Sequence, residues 1–163
     1  MGSKTLYVRD ERGEFVPATD EAVVAAARLY LNRRIRRGAS LNNPSAVRDF
    51  LATRLGDRDS EYFCALLLDT RHRFLRFVEL FRGTLDAATV HPREVAKLAL
   101  ETPQTGAMIF AHNHPSQIGD PSAADELITR RLKEVLSLIG VRVIDHFIVA
   151  GGEVVSMSER GCL

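Results

Sequence analysis

The chain has 163 residues, 45% of them hydrophobic, and a formal net charge of +1. That length and apolar share suffice for one good core and argue for one domain rather than two, while the balanced charge gives no global pull toward nucleic acid. Cys64 and Cys162 are too few and too far apart for a disulfide framework or a zinc ribbon. No apolar run reaches membrane-spanning length, and residues 1–4 open onto charged residues rather than a signal-peptide core. The sequence therefore reads as soluble and cytoplasmic, with no membrane partner.

Residues 5–18 are expected to form a small hairpin, Leu6-Tyr7-Val8 and Glu14-Phe15-Val16 flanking a charged turn. Thr19 and Asp20 then start a helix that carries Val24, Ala27, Leu31 and Ile35 as one apolar stripe and ends near Gly38. Its C-terminal half bears Arg33, Arg34, Arg36 and Arg37, which could grip phosphates; a solvated face at the negative end of the helix dipole is the simpler account. Asn43-Pro44 opens a helix that should run to about Leu55, where Gly56-Asp57 stops it. Residues 62–69 are a dense apolar run without helical period, hence a strand buried on both faces, and residues 74–81 should pair with it after a turn at 70–73. His91-Pro92 begins the next helix, with Val95, Leu98 and Ala99 facing inward, and Pro103 ends it. A strand over 105–111 follows, and then a long amphipathic helix carrying Leu127, Ile128, Leu132, Val135, Leu136 and Ile139 and ending at Gly140. Residues 141–149 and 154–157, joined across Gly151-Gly152, close the chain as a hairpin. The class this implies is α/β, a central mixed sheet flanked by helices.

The most informative stretch is the strand end at His112-Asn113-His114-Pro115, followed by a Pro/Gly loop and by Ser122 and Asp125 at the start of the long helix. In extended backbone the two histidines point to one side and Asn113 to the other. Two imidazoles and a carboxylate can thus converge. Zinc accepts these donor types, and three protein ligands leave one tetrahedral position for water, whose pKa falls to about 7 on the metal. Imidazole also suits iron and nickel, so the donor set predicts a metal more strongly than it predicts which one.

His-x-His-Pro, six residues, then Ser-x-x-Asp resembles the JAMM motif of the JAB/MPN metalloprotease superfamily, and most closely its RadC-like branch. The similarity runs over about residues 41–163 and takes in Glu61-Tyr62-Phe63, Leu66-Leu67-Leu68-Asp69, Phe81-Arg82-Gly83-Thr84, His91-Pro92-Arg93-Glu94-Val95, Asp145-His146-Phe147-Ile148-Val149 and Glu159-Arg160-Gly161. Residues 1–40 then form an N-terminal extension to that region. The resemblance implies one Zn2+ per chain on His112, His114 and Asp125, Glu61 as general base, Ser122 steadying an oxyanion, and cleavage of a peptide or isopeptide bond in a peptide or protein substrate. It also implies a cytidine-deaminase-like JAB/MPN fold. Gln117, Ile118 and Gly119 stand where RadC-like proteins usually carry Gly, Asp and Pro, which alters the loop's rim and keeps its length.

Each residue also has a plainer reading. Ser122 and Asp125 fit a capping box, and on spacing alone that would suffice. Glu79, on the next strand, competes with Glu61 as base, although its setting among Phe77, Val78, Leu80 and Phe81 suggests an edge or outward face. His91 and His146 could orient metal ligands, yet a helix cap and a strand residue explain them more simply. His72 reads as turn surface and Cys64 as core. Two further functional classes remain in view. One is a DNA-repair or mobile-element-associated role in binding nucleic acid, supported locally only by the arginine cluster. The other is a catalytically silent scaffold, against which the intact ligand set argues.

Overall fold

The computed structural model describes residues 5–34, 37–41, 43–83 and 90–163, with the side chains of residues 28 and 31–34 outside the description. Along the chain the elements are β1 (Tyr7–Arg9), β2 (Phe15–Pro17), α1 (Asp20–Arg34), α2 (Pro44–Leu55), β3 (Tyr62–Leu68), β4 (Phe74–Arg82), α3 (Pro92–Glu101), β5 (Ala107–Asn113), α4 (Ala123–Leu138), β6 (Arg142–Ala150) and β7 (Glu153–Ser156). Strands β3 to β7 make one mixed sheet in the order β4-β3-β5-β6-β7. β3 runs antiparallel to β4 and β5, β5 is parallel to β6 through the α4 crossover, and β7 returns antiparallel on β6. This is the α/β architecture expected of the alternating pattern.

Every residue of β3 and β5 is buried, as a strand covered on both faces requires. Period two then divides their side chains. Cys64, Leu66, Leu68, Ile109 and Ala111 pack with Val47, Phe50, Leu51 and Leu55 of α2 on one face. Phe63, Ala65, Leu67, Met108 and Phe110 pack with Val95 and Ala99 of α3 and Ile128, Leu132 and Leu136 of α4 on the other. His112 continues the Met108, Phe110 row, so it lies on the α3/α4 face. Burial pushes the Cys64 thiol up to about 12, which leaves it a neutral core group.

Two expectations are corrected. β5 runs to Asn113 rather than stopping at Ala111, because β6 supplies ladder partners up to Val149 and the His114 amide also bonds to the Val149 carbonyl at 2.8 Å. In α1, Val24 and Ala27 are exposed and Ala22 and Val23 are half-buried, so the buried edge of this helix is rotated from the expected stripe. α1 packs chiefly on α2, so the residues it buries are those that meet that helix. Of the remaining stripe, Leu31 and Ile35 lie outside the described side chains, as do Arg33, Arg34 and Arg36; Arg37 is exposed in the turn after α1. The N-terminal hairpin forms as expected, with both short strands exposed. Among the described residues no helix is long and apolar enough to cross a membrane.

Candidate metal centre

The site gathers where β5 ends, α4 begins and β3 starts. His112 closes the buried row of β5 and has no solvent exposure. His114 lies one residue beyond the strand, where the chain turns: the Gln117 amide bonds back to the His114 carbonyl at 3.0 Å with Gln117 in the left-handed region at φ 61°. That turn brings the Ile118 carbonyl to 2.6 Å from His114 Nδ1. A carbonyl only accepts, so Nδ1 carries the proton and, in the neutral ring, Nε2 carries the lone pair.

Ser122 and Asp125 do form the capping box. Ser122 Oγ accepts the Asp125 amide at 3.1 Å, and Asp125 Oδ2 accepts the Ser122 amide at 2.8 Å and the Ser122 hydroxyl at 2.6 Å. The box also fixes where the carboxylate points. Asp125, 2% exposed, holds Oδ1 3.1 Å from His112 Nε2 and Oδ2 3.5 Å from His114 Nε2. The two Nε2 atoms are themselves 2.8 Å apart. The helix cap and the proposed ligand are therefore one arrangement rather than rival explanations.

Glu61 precedes β3, two residues before Phe63 and on its face. One donor atom each of Glu61, His112 and His114 lie within 4.8 Å of one another. Glu61, His114, Ser122 and Asp125 line a cavity of about 530 Å³ together with Gly83 and Asp59. Glu79 is elsewhere. It pairs across the ladder with Cys64, on the α2 face of the sheet, and bonds to Arg58 at 2.9 Å.

Burial pushes the Asp125 carboxyl upward, but contacts with His112, His114 and Ser122 outweigh it and hold the group well below the usual carboxylate range. The hydrogen bond to Asp125 raises the pKa of His114, against an opposing effect of burial. Two ring nitrogens and two carboxylate oxygens thus face one another at 2.8–3.5 Å. Such a set requires positive charge among its members, either protons or a cation. Nitrogen and oxygen donors of this kind, on a buried floor beside an open cavity, fit a zinc ion. Glu61 and Asp125 are alternative third donors to the same pair of histidines.

Three residues matter more than the sequence indicated. Asn113, pointing opposite to its flanking histidines, accepts the Tyr62 amide at 2.9 Å and donates to the Ser60 carbonyl at 2.9 Å, which clamps the backbone on both sides of Glu61. Asn113→Ala leaves both groups unpaired in a buried setting and is expected to cost about 1–3 kcal/mol in chemical denaturation; a loss below about 0.5 kcal/mol, the level of an inert surface change, would show that water replaces the clamp. His146 and Thr129 form the other addition. His146 is fully buried beneath His112, with Nε2 2.8 Å from His112 Nδ1 and Nδ1 2.6 Å from Thr129 Oγ1. Burial first, and then the neighbouring His112, keep its pKa well below that of a free imidazole. His91 occupies the N-cap position of α3 without a side-chain cap bond, and His72 sits in the β3–β4 turn, 3.2 Å from an Arg142 nitrogen.

Comparison with known proteins bears on the same residues. The family model described as RadC-like JAB domain matches residues 41–162, which include every donor named above. A UPF0758 protein of Halorhodospira halophila is 47% identical over 160 residues, 98% of this chain and 71% of the relative. UPF0758 proteins of Marinobacter nauticus and Chromohalobacter salexigens are 48% and 50% identical over 143 residues, 88% of this chain. The chain spans 63% of the length of these last two. With a match across three-quarters of its length and this level of identity, the chain belongs to the RadC-like JAB domain family.

Proposed function

We propose that the protein is a zinc-dependent hydrolase that cleaves a peptide or isopeptide amide bond, with one zinc per chain held by His112, His114 and Asp125. The observation that carries this reading is the convergence of the two Nε2 atoms and Asp125 Oδ1 within 2.8–3.1 Å contacts on the floor of an open cavity. Asp125 is preferred to Glu61 as third ligand because it is buried and pinned by the capping box, whereas Glu61 is only half-buried where it lines the cavity and is open to incoming water and substrate. When bound, zinc supplies Lewis-acid polarisation and a water acidic enough to attack near neutrality. The chain's own groups do the rest. Glu61 takes the proton of the attacking water and hands it to the leaving nitrogen. Ser122 donates to the oxyanion of the tetrahedral intermediate, for which its hydroxyl must turn from Asp125 Oδ2 toward the cavity.

Among the described residues, the cavity lining includes Asp59, Glu61 and Asp125 but no lysine or arginine. That charge favours a peptide over a phosphate backbone at this site, so a nucleic-acid role would have to use another surface, such as the arginine-bearing end of α1. The deciding measurement is metal content per chain by mass spectrometry on protein purified without an affinity metal. One zinc on the wild type, lost in His114→Ala and Asp125→Ala, is expected. A wild type that stays metal-free after zinc is offered would overturn the hydrolase reading.

A further inference from the structure

Beneath the metal centre lies a chain of buried hydrogen bonds that runs from the backbone of α4 to the far nitrogen of His112. Its starting point is Thr129, whose Oγ1 lies 2.5 Å from the Asp125 carbonyl one helical turn earlier. A carbonyl cannot donate, and threonine in a helix commonly bonds to the carbonyl four residues back, so the hydroxyl proton is committed there. Thr129 Oγ1 therefore accepts from His146 Nδ1, 2.6 Å away. His146 is enclosed by the rings of Phe63 and Phe110 at 5.3 and 6.2 Å; among the described residues the carboxylate of Asp145 bonds its backbone amide and none bonds its ring, which makes the buried ring a neutral imidazole with a single proton. With that proton on Nδ1, its Nε2 must accept, and the donor is His112 Nδ1 at 2.8 Å. His112 is then left with a bare Nε2 aimed at His114 Nε2 and Asp125 Oδ1.

We infer that Thr129 and His146 form a tautomer-setting relay that fixes the proton of His112 on Nδ1 and so presents Nε2 as a ready metal ligand. The inference rests on the metal-site reading given above and adds to it two positioning residues, neither of which reaches the cavity. The relay also couples the ligands to each other. Thr129 bonds the backbone of the residue whose side chain is the third ligand, so the orientation of His112 and the placement of Asp125 share one helical turn. His146 joins them across the sheet, because parallel pairing of β5 with β6 sets Phe110 opposite His146 and His112 opposite Ile148, which leaves His146 one step beneath His112 on the same face.

The test replaces the hydroxyl without changing the shape of the side chain. Thr129→Val removes the acceptor for His146 Nδ1–H and is expected to weaken zinc binding about 10- to 100-fold in competition with a chromophoric chelator. Thr129→Ser keeps the hydroxyl and is expected to bind zinc within about threefold of wild type on the same scale. Circular dichroism on the metal-free proteins establishes that each variant is folded. Nitrogen-15 shifts of the metal-free imidazoles, read where the rings are neutral, give a second signature: a protonated Nδ1 on both His112 and His146 in wild type and in Thr129→Ser, and a changed pattern in Thr129→Val. Wild-type affinity in folded Thr129→Val, an equal loss in Thr129→Ser, or a wild-type His112 protonated on Nε2 would each overturn the relay while leaving zinc on the wild-type site. Absence of zinc from the wild type would instead overturn the metal reading, and the relay's role with it.

Discussion

Glu61→Gln is expected to lower amide-hydrolysis turnover by about 10²–10⁴-fold, the usual contribution of a positioned general base, while zinc content stays at the wild-type level. The substitution keeps the shape of the side chain and its hydrogen-bonding reach but removes the basic carboxylate. Its backbone is unaffected: the Glu61 carbonyl accepts the Gly83 amide at 2.9 Å, and Asn113 holds the residues on either side. The assay needs a peptide and isopeptide panel, and the comparison is made on whichever member the wild type cleaves. Zinc content separates the two roles open to this residue, since one donor atom of Glu61 lies within 4.8 Å of donors on both histidines. A fall in zinc as deep as that of His114→Ala would make Glu61 the third ligand and return Asp125 to its role as helix cap. Turnover within about threefold of wild type with zinc retained would deny it the base role.

Much of this arrangement is legible in the amino-acid sequence alone. The dense run over 62–69 and the apolar residues before His112 specify the two central strands, because burial on both faces leaves no polar alternation to misread. Period two predicts that His112 and His114 share a side and Asn113 takes the other, and the capping spacing predicts the start of α4. What the sequence withholds is long-range register. His146 follows Asp145 in a strand whose alternation says only that the two face opposite ways; that it meets His112 depends on a parallel pairing through the α4 crossover, and no local pattern encodes that offset. Thr129 looks like any helical threonine until its neighbour across the sheet is known. Asn113 can be oriented from the sequence, but not its targets, the Tyr62 amide and the Ser60 carbonyl more than fifty residues earlier in the chain. α1 departs from expectation for a different reason: its apolar residues repeat at helical spacing, but a stripe is buried only where a surface meets it, and α2 meets a neighbouring edge.

The stability of the protein with and without zinc should depend on pH in different ways. In the metal-free protein His114 has a raised pKa because Asp125 bonds to it, so the stability it contributes is complete below the unfolded value of about 6.5 and is lost as pH rises through its folded value. His146 acts in the other direction. Its buried ring stays neutral in the folded state while the unfolded chain takes up the proton, so stability falls as pH drops below about 6.5. From these two groups the metal-free melting temperature is expected to peak near pH 6.5. Zinc competes with the proton that Asp125 holds on His114 Nε2, so its stabilisation grows as pH rises. Free zinc at about a thousand times its dissociation constant adds about 4 kcal/mol, or on the order of 10 °C in melting temperature for a chain of this size. Melting curves taken from about pH 5.5 to about 8.5, with zinc and with a chelator, should therefore diverge on the alkaline side. Parallel curves would mean that zinc does not displace the proton from His114, and the ligand assignment would have to move to other residues.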